Sequence, residues 1–465
     1  MMSMSGARAL DEPVVDDGIR WLNFFNGRAL SAEDLRTDHE AIQRSRAQLG
    51  RGLGPGLVNG FKVVQANAST VARPVLSVSS GLAFNQDGQA IELQRDVTVG
   101  LVRVDAPTSE AGATFEACDV VLAGTTGLGA YVLTVGPAGA DLGKAPVAGL
   151  GNEDAGCNTA YSVEGVRFQL YPVAIEADDV DSADLRNRLA YRMFGQEDPA
   201  RLSRIRDPFS ASDGEYGGLD DLRHACFPMD VALAVLFWQP GEGLRFVDMW
   251  SVRRRTTAPA PSTTHASPAF DRAAAEAEAR FLQFEDHVTD LYGLGTDPAS
   301  IMAADRFRFL PPAGVVPLPT PTSYQSFFRG LKVRDPVWIE GAQVEGLLHE
   351  SLSYPAIATD SGEAIWLYVV RENAQRPRFR RPTSFDLGLG RHSLIQEATL
   401  ATRLNLEAGR VTLGGPGDFG AAGGNPPADG LAPSCVIFAT GHLPYRADAR
   451  FDLAYYDYAN YAEIG

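Results

Sequence analysis

The sequence predicts an α+β fold that is rich in β structure, with several small β-sandwich or barrel-like domains and inserted helices. Three observations predict it. From residue 57 to about residue 135, short runs alternate apolar with polar residues and are separated by Asn, Asp, Ser and Gly, as in half-buried strands. Gly (47) and Pro (29) are frequent, as in folds with many turns. Segments with helical periodicity interrupt the β-rich stretches.

The length of 465 residues exceeds one ordinary core, so we expect several domains. Residues 1–56 are predicted to form a strand, a helix and a Gly-rich loop. Residues 57–255 form one or more β-rich domains with a helical insertion near 182–205. The linker 256–268, TTAPAPSTTHASP, has no large apolar side chain, and residues 269–465 form a C-terminal α+β domain. The competing interpretation of the linker is a long surface loop within one domain.

The N-terminal unit begins with an apolar strand, Ile19–Phe25, which the turn Asn26-Gly27 closes. Ser31 then caps a helix that is predicted to stop at Gly50. Asp34 stands at the third helical position, where a capping box places its acceptor.

Leu35, Ile42 and Leu49 recur every seven residues of this helix. They form a narrow apolar stripe that something must cover. The cover is either the chain's own β-domain or the same helix of a second copy, since heptad spacing suits self-packing. Both alternatives remain open at this point.

The remaining elements follow from periodicity and turn residues, with Asp87-Gly88 the strongest hairpin turn. Strands are predicted at Leu57–Val58, Phe61–Val64, Val75–Val78, Leu82–Phe84, Ala90–Leu93, Val97–Val104, Val120–Ala123, Tyr131–Val135, Val166–Ile175, Val231–Trp238, Leu244–Val252, Ile365–Val370, Cys435–Thr440 and Phe451–Tyr458. Helices are predicted at Ser182–Phe194, Pro199–Ile205, Phe270–Leu291 and Val344–Leu352, and a long Gly/Pro loop at Gly414–Pro433.

The formal net charge of −17 argues against nucleic acid as a partner, because the field of the protein repels phosphate. The two tight basic runs, Arg253–Arg255 and Arg378–Arg381, are short and are expected to be solvated or to pair at an interface. The four cysteines are far apart and are expected to be free thiols. The N-terminus has no signal-peptide pattern, and no stretch of about 18 apolar residues occurs. We expect synthesis in the cytoplasm and no direct insertion into membranes.

The motifs predict no catalytic residues, no cofactor and no metal, so the chain is not expected to be an enzyme. The Gly-rich run Gly52–Gly60 follows a helix and precedes a strand, the reverse of a phosphate loop. No histidine pair has metal-ligand spacing, and Gly-x-Ser-x-Gly is absent. An acidic loop from Asp213 to Asp221 could hold calcium, but a solvated loop is the simpler interpretation. The 58 acidic residues leave a paired-carboxylate glycosidase as a further alternative.

The candidate functional residues are therefore assembly contacts. Aromatic residues are enriched in interface cores, and the chain has aromatic residues near both of its ends, beside the apolar stripe of the N-terminal helix. The candidates are Trp21, Phe24, Phe25, Leu35, Ile42, Leu49, Tyr455, Tyr456 and Tyr458. In the alternative function, a receptor- or carbohydrate-binding protein at a fibre tip, the three tyrosines and Trp338 would form an aromatic platform.

Three N-terminal motifs resemble a known bacterial family: Phe24–Arg28 (FFNGR), Leu30–Leu35 (LSAEDL) and Leu57–Phe61 (LVNGF). The family pattern is FNGxxLTAEDL…GxGVVxGLxV, and its members accompany phage-tail-like contractile injection systems and related tailed particles. At Ser31, Leu57 and Phe61 the pattern has Thr, Val and Leu. The resemblance covers about the first hundred residues and later islands.

The resemblance implies a structural or accessory subunit of such a particle, at the baseplate, a fibre attachment or another terminal position. Its partners would be other subunits of the assembly; self-association stays one of the two alternatives that the heptad spacing of Leu35, Ile42 and Leu49 leaves open. The shared motifs are turn, cap and packing residues, so they imply a fold and an assembly class, and no catalytic residue comes with them.

Overall fold

The structure is a computed structural model that describes residues 18–101, 129–146, 157–175, 179–195, 218–239, 241–257, 267–293, 300–317, 323–339, 347–348, 351, 354–371 and 433–442. It confirms the predicted fold class. Small, mostly antiparallel sheets dominate, and helices are inserted between them.

The N-terminal helix, α1 (Ala32–Leu53), has the predicted cap. Ser31 and Asp34 form both hydrogen bonds of a capping box. The prediction that the helix stops at Gly50 is wrong, because α1 continues to Leu53 and ends at Gly54, whose φ is 81°. The predicted strand Ile19–Phe25 is also wrong. No described strand lies beside this segment, and an extended segment without a pairing partner does not form a β-ladder.

Two small sheets follow α1. One has the order β1-β4-β5 and the other β2-β3-β6. The strands are β1 (Gly56–Gly60), β2 (Val63–Gln65), β3 (Val75–Val78), β4 (Gly81–Phe84), β5 (Ala90–Leu93) and β6 (Val97–Gly100). The predicted Asp87-Gly88 turn joins β4 to β5, and Gly88 has the positive φ, 78°, that such a turn requires.

The central sheet has the order β10-β9-β7-β8. Its strands are β7 (Gly129–Pro146), β8 (Cys157–Val173), β9 (Val231–Gln239) and β10 (Gly243–Asp248). One face shares a core with both small sheets. The other face is covered by α2 (Leu185–Met193) and α3 (Leu219–Cys226). The predicted β9–β10 hairpin is confirmed.

The C-terminal part is built on α4 (Ser267–Gly293), which packs against a sheet of order β12-β16-β15-β13. The sheet strands are β12 (Ala313–Pro317), β13 (Val337–Ile339), β15 (Trp366–Arg371) and β16 (Pro433–Ala439). Short elements complete it: α5 (Ala303–Arg306), α6 (Ser323–Phe327), β11 (Phe309–Leu310) and β14 (Ile357–Ala358). Gly314 permits the close approach, because a Cβ there would overlap the rings of Phe438 and Phe284.

The other predictions have mixed outcomes. The helix of the 182–205 insertion is confirmed as α2, and Phe270–Leu291 is confirmed within α4, which also includes the end of the predicted 256–268 linker. The domain boundaries remain predictions. Cys226 is disulfide-bonded, so the expectation of free thiols is wrong for this residue. No helix among the described residues is long and apolar enough to cross a membrane. Several predicted elements lie wholly or largely outside the described residues: Val120–Ala123, Pro199–Ile205, Gly414–Pro433 and Phe451–Tyr458.

Candidate interaction surface

The segment before α1 has no regular secondary structure beyond its turn, but Arg28 braces it. The guanidinium of Arg28 donates to the carbonyl oxygen of Asn23 at 2.8 Å and to Asp34 Oδ1 at 2.7 Å. It also lies 5.9 Å from the ring centroid of Phe25. Hydrogen bonds from the Ser31 backbone, the Ser31 hydroxyl and Arg28 lower the pKa of Asp34. The segment is thus tied to the first turn of α1.

Three aromatic side chains of this segment stand in solvent. Trp21 is 57% exposed, Phe24 59% and Phe25 63%. Exposed aromatic residues close together in the sequence are unusual on the free surface of a protein and mark contact sites. Their exposure leaves the three side chains accessible to a partner, and their role as assembly contacts stays a prediction.

The apolar stripe of α1 is uncovered at both ends. Leu35 is 57% exposed and Leu49 72% exposed, whereas Ile42 is partly buried. Within α1, all of which is described, the buried residues are Ala41 and Gly50. The described β-sheets therefore do not cover the stripe. We name Trp21, Phe24, Phe25, Leu35 and Leu49 together the N-terminal apolar set.

The helix that bears the stripe is fixed at its C-terminal end. A Cβ on Gly50 would overlap the carbonyl of Gly88, and one on Gly88 would overlap the carbonyl of Ala47. Arg51 also donates to the carbonyl oxygen of Asp87 at 3.2 Å. The last turns of α1 thus lie directly on the β4–β5 hairpin, and this contact holds the helix while its apolar stripe faces water.

The basic run Arg253–Arg255 has a structural role that the sequence did not predict. The guanidinium of Arg253 donates to the carbonyl oxygens of Gly60 and Phe61, at 2.6 and 2.7 Å. Both residues have positive φ, 64° and 52°, and Phe61 is fully buried. Arg255 pairs with Glu278 of α4 at 3.1 Å. Burial lowers the pKa of Arg253 to about 10.

A second buried arginine links the central sheet to α4. Arg186 of α2, 6% exposed, contacts carboxylates of Asp248, Asp286 and Asp290 at 2.8, 2.8 and 2.6 Å. Gln283 of α4 donates to the same oxygen of Asp248 at 2.9 Å. A long arginine among apolar neighbours could have suggested a buried ion pair, but the sequence does not identify its partners.

The described residues contain no group of three or more His, Cys, Asp or Glu that could hold a metal ion. Of the acidic loop predicted as a calcium alternative, Asp220 lies in α3 and is ion-paired with Arg223. The aromatic candidates Tyr455, Tyr456 and Tyr458 lie outside the described residues, as do Asp213 and Glu215.

Comparison with known proteins adds no identity. No protein-family model matches the sequence, and no curated protein is significantly similar to it.

Proposed function

We propose that this chain is a structural or accessory subunit of a larger protein assembly, a phage-tail-like contractile injection particle, and that it docks there through the N-terminal apolar set. The observation that carries the proposal is the exposure of five large apolar side chains on a segment and a helix that are both held in place. The position would be the baseplate, a fibre attachment or another terminal site.

Burial of the N-terminal apolar set by a partner subunit would contribute to the affinity of docking. Burying one exposed Phe, Leu or Met side chain contributes about 1.5–3 kcal/mol, and aromatic side chains dominate the energetics of interfaces. Bracing by Arg28 and by the Gly50–Gly88 contact reduces the ordering entropy that docking would otherwise cost. A partner subunit with an apolar groove would therefore gain a preformed contact.

The motif resemblance supports the class of the assembly. The residues that carry it, Phe24–Arg28, Leu30–Leu35 and Leu57–Phe61, include Arg28, the capping residues Ser31 and Asp34, and the Gly60–Phe61 turn. They also include the exposed Phe24, Phe25 and Leu35. The resemblance thus coincides with the docking element.

The test uses particles purified from the bacterium that carries this gene. We expect mass spectrometry to detect the wild-type chain in intact, full-length particles. The double variant Phe24→Ser/Phe25→Ser should remain folded by circular dichroism but be lost from the particles. Val71→Ser is the matched control, because Val71 is an exposed apolar residue outside the set. Absence of the wild-type chain from intact particles, or equal retention of the double variant, contradicts the proposal.

A further inference from the structure

The strands β7 and β8 extend well beyond the central sheet. They pair with each other from Ala130↔Val173 to Pro146↔Cys157. Strand β9 pairs with β7 only from Gly129 to Val135. Among the described residues, no other strand pairs with the remainder. Residues 136–146 and 157–167 therefore form a two-stranded projection, the β-arm, roughly 35 Å long at the usual rise per residue.

The two faces of the β-arm differ in character. Directly paired residues of antiparallel strands share a face, and successive residues alternate between faces. One face, here called the apolar face, continues the side of the central sheet that α2 and α3 cover. Its residues are the pairs Ala138↔Gly165, Ala140↔Val163 and Leu142↔Tyr161. The opposite face has Asp141, Ser162 and Glu164.

The apolar face is open to water. Leu142 is 60% exposed, Tyr161 68% and Val163 43%. An isolated two-stranded hairpin is at best marginally stable in water, and stability requires packing of its apolar face. A partner that covered the apolar face would therefore stabilise the β-arm.

The base of the β-arm is anchored. Thr134 donates to Asp230 Oδ2 at 2.9 Å, and Arg167 of β8 lies 3.8 Å from Asp230 Oδ1. The Asp230 carboxylate fills the place of a side chain at Gly136, where a Cβ would overlap it. These contacts fix the point at which the two strands leave the sheet, so the apolar face has a defined direction.

We propose that the occupant of the apolar face is the β-arm of a second copy of this chain. In this dimer the two apolar faces pack against each other, with a two-fold axis between them that runs along the Ala140↔Val163 pair. Each Leu142↔Tyr161 pair then lies over the Ala138↔Gly165 pair of the other copy. Two large side chains would thus meet one methyl group and one glycine at each end. Such self-complementarity of large and small residues is what an isologous interface requires.

Charge favours the same occupant. The whole chain has a net charge of −17, and this like charge opposes the approach of a second copy. The β-arm is neutral, because Lys144 and Arg167 balance Asp141 and Glu164. The paired faces would be smaller than a standard interface of roughly 1,600 Å², so we expect a dissociation constant on the order of micromolar.

The first measurement is sedimentation of the full-length chain over about 1 to 200 µM, a range that brackets such a constant. We expect the wild type to pass from monomer to dimer. Tyr161→Ser should shift the midpoint at least tenfold to higher concentration, whereas Ser162→Ala, on the opposite face and without a change of charge, should leave it unchanged. A wild type that stays monomeric over the whole range overturns the proposal. So does a dimer that Tyr161→Ser leaves intact and Leu49→Asp abolishes, since that dimer forms through α1.

The second measurement tests the geometry with single-cysteine additions. Val163→Cys lies beside the two-fold axis, so oxidation should give a covalent dimer at a rate well above that of the unsubstituted chain. Ser162→Cys, one residue away on the opposite face, is the matched control and should remain at the background rate. Equal cross-linking of the two variants overturns the arm-to-arm arrangement. The docking role of the N-terminal apolar set is independent of either result.

Discussion

At the scale of single residues, Arg253 stabilises the Gly60–Phe61 turn, which ends the sequence motif Leu57–Phe61. Gly60 and Phe61 both have positive φ, a conformation that glycine adopts easily and phenylalanine does not. The strain at Phe61 is offset by its complete burial and by the hydrogen bonds of Arg253 to the two carbonyl oxygens. The local motif and a residue almost two hundred positions later thus form one unit.

Arg253→Ala should lower the free energy of unfolding by about 2–4 kcal/mol, because two charge-assisted hydrogen bonds are lost. Arg253→Lys keeps the charge but not the planar fork, so we expect an intermediate loss. Urea unfolding followed by circular dichroism measures both. Arg36→Ala, on the exposed surface of α1, is the control and should change stability by less than about 0.5 kcal/mol. Equal stabilities for Arg253→Ala and the control would contradict this role.

The pKa values of Asp286 and His287 are shifted in opposite directions although the two residues are adjacent on α4. Burial, with Asp248 and Asp290 nearby, raises the pKa of Asp286 to about 6. Burial, with Arg186 and Arg306 nearby, lowers the pKa of His287 well below 6.5. Because the pKa of Asp286 is raised, its protonated form stabilises the folded state below pH 4, and this stabilisation is lost as the pH rises through 6. Because the pKa of His287 is lowered, its neutral form stabilises the folded state above pH 6.5, and this stabilisation is lost as the pH falls.

Between pH 4 and 6.5 the two groups therefore oppose each other. We expect Asp286→Asn to make the loss of stability on acidification steeper, because only the His287 contribution remains. His287→Gln should make it shallower. Melting temperatures of the wild type and both variants, measured from pH 4 to pH 8, check this. Shifts of the same sign in the two variants would show that the assignment is wrong.

At the scale of elements, the position of α1 depends on two glycines, Gly50 and Gly88. The helix has few buried residues of its own, so its attachment rests on the close approach of its last turns to the β4–β5 hairpin. The sequence predicted both the helix and the hairpin. It could not predict that they touch, because the contact joins residues far apart in the chain.

Gly50→Ala should detach α1 from the hairpin, since its methyl group would overlap the Gly88 carbonyl, at a cost of about 1–3 kcal/mol. The expected result is faster tryptic cleavage at the arginines of α1, with the melting of the sheets little changed. Gly52→Ala is the matched control. Its methyl group meets nothing within 4 Å, and alanine favours a helix by about 0.4–1 kcal/mol over glycine. Cleavage of Gly50→Ala at the control rate would mean that the contact does not hold the helix.

The strands β7 and β8 are longer than predicted because they pair with each other beyond the buried part of the central sheet. The alternation of apolar residues predicted strands at Tyr131–Val135, which is buried throughout, and at Val166–Ile175, where Leu170, Tyr171 and Val173 are buried on the central sheet. In the structure the pairing continues to Pro146 and begins at Cys157. In this extension Gly and Ala are frequent and both faces are exposed, so the burial that produces a clear alternation is missing.

At the scale of the whole molecule, contacts cross the predicted junction between the N-terminal and C-terminal parts. Arg186 of α2 joins Asp248 of β10 to Asp286 and Asp290 of α4. Arg255 also pairs with Glu278 of α4. Removing one partner of a buried ion pair costs about 3–5 kcal/mol, because the remaining charge stays buried.

A protease site introduced between residues 258 and 266 tests this coupling. After cleavage we expect the two fragments to elute together and to melt in one transition. Arg186→Leu should let the nicked fragments separate at lower urea concentration. The control Arg308→Leu breaks an exposed pair with Asp360, worth about 0–1 kcal/mol, and should behave as the wild type. Separation of the nicked wild-type chain without denaturant would instead support independent halves.

The fold class, the capping box of α1, the Asp87-Gly88 and β9–β10 hairpins and the long helix α4 could all be predicted from the sequence. These features depend on neighbouring residues, whose propensities and periodicity act locally. The sequence also identified Trp21, Phe24, Phe25, Leu35 and Leu49 as contact candidates.

Which apolar residues remain exposed and which charged residues are buried could not be predicted from the sequence, because both depend on the packing of the folded chain. Leu35 and Leu49 of α1 are exposed, Arg186 and Asp248 are buried as an ion pair, and the β-arm leaves the sheet where β9 ends. Burial and strand pairing depend on contacts between segments that are far apart in the sequence, and local patterns of residues do not show which segments meet.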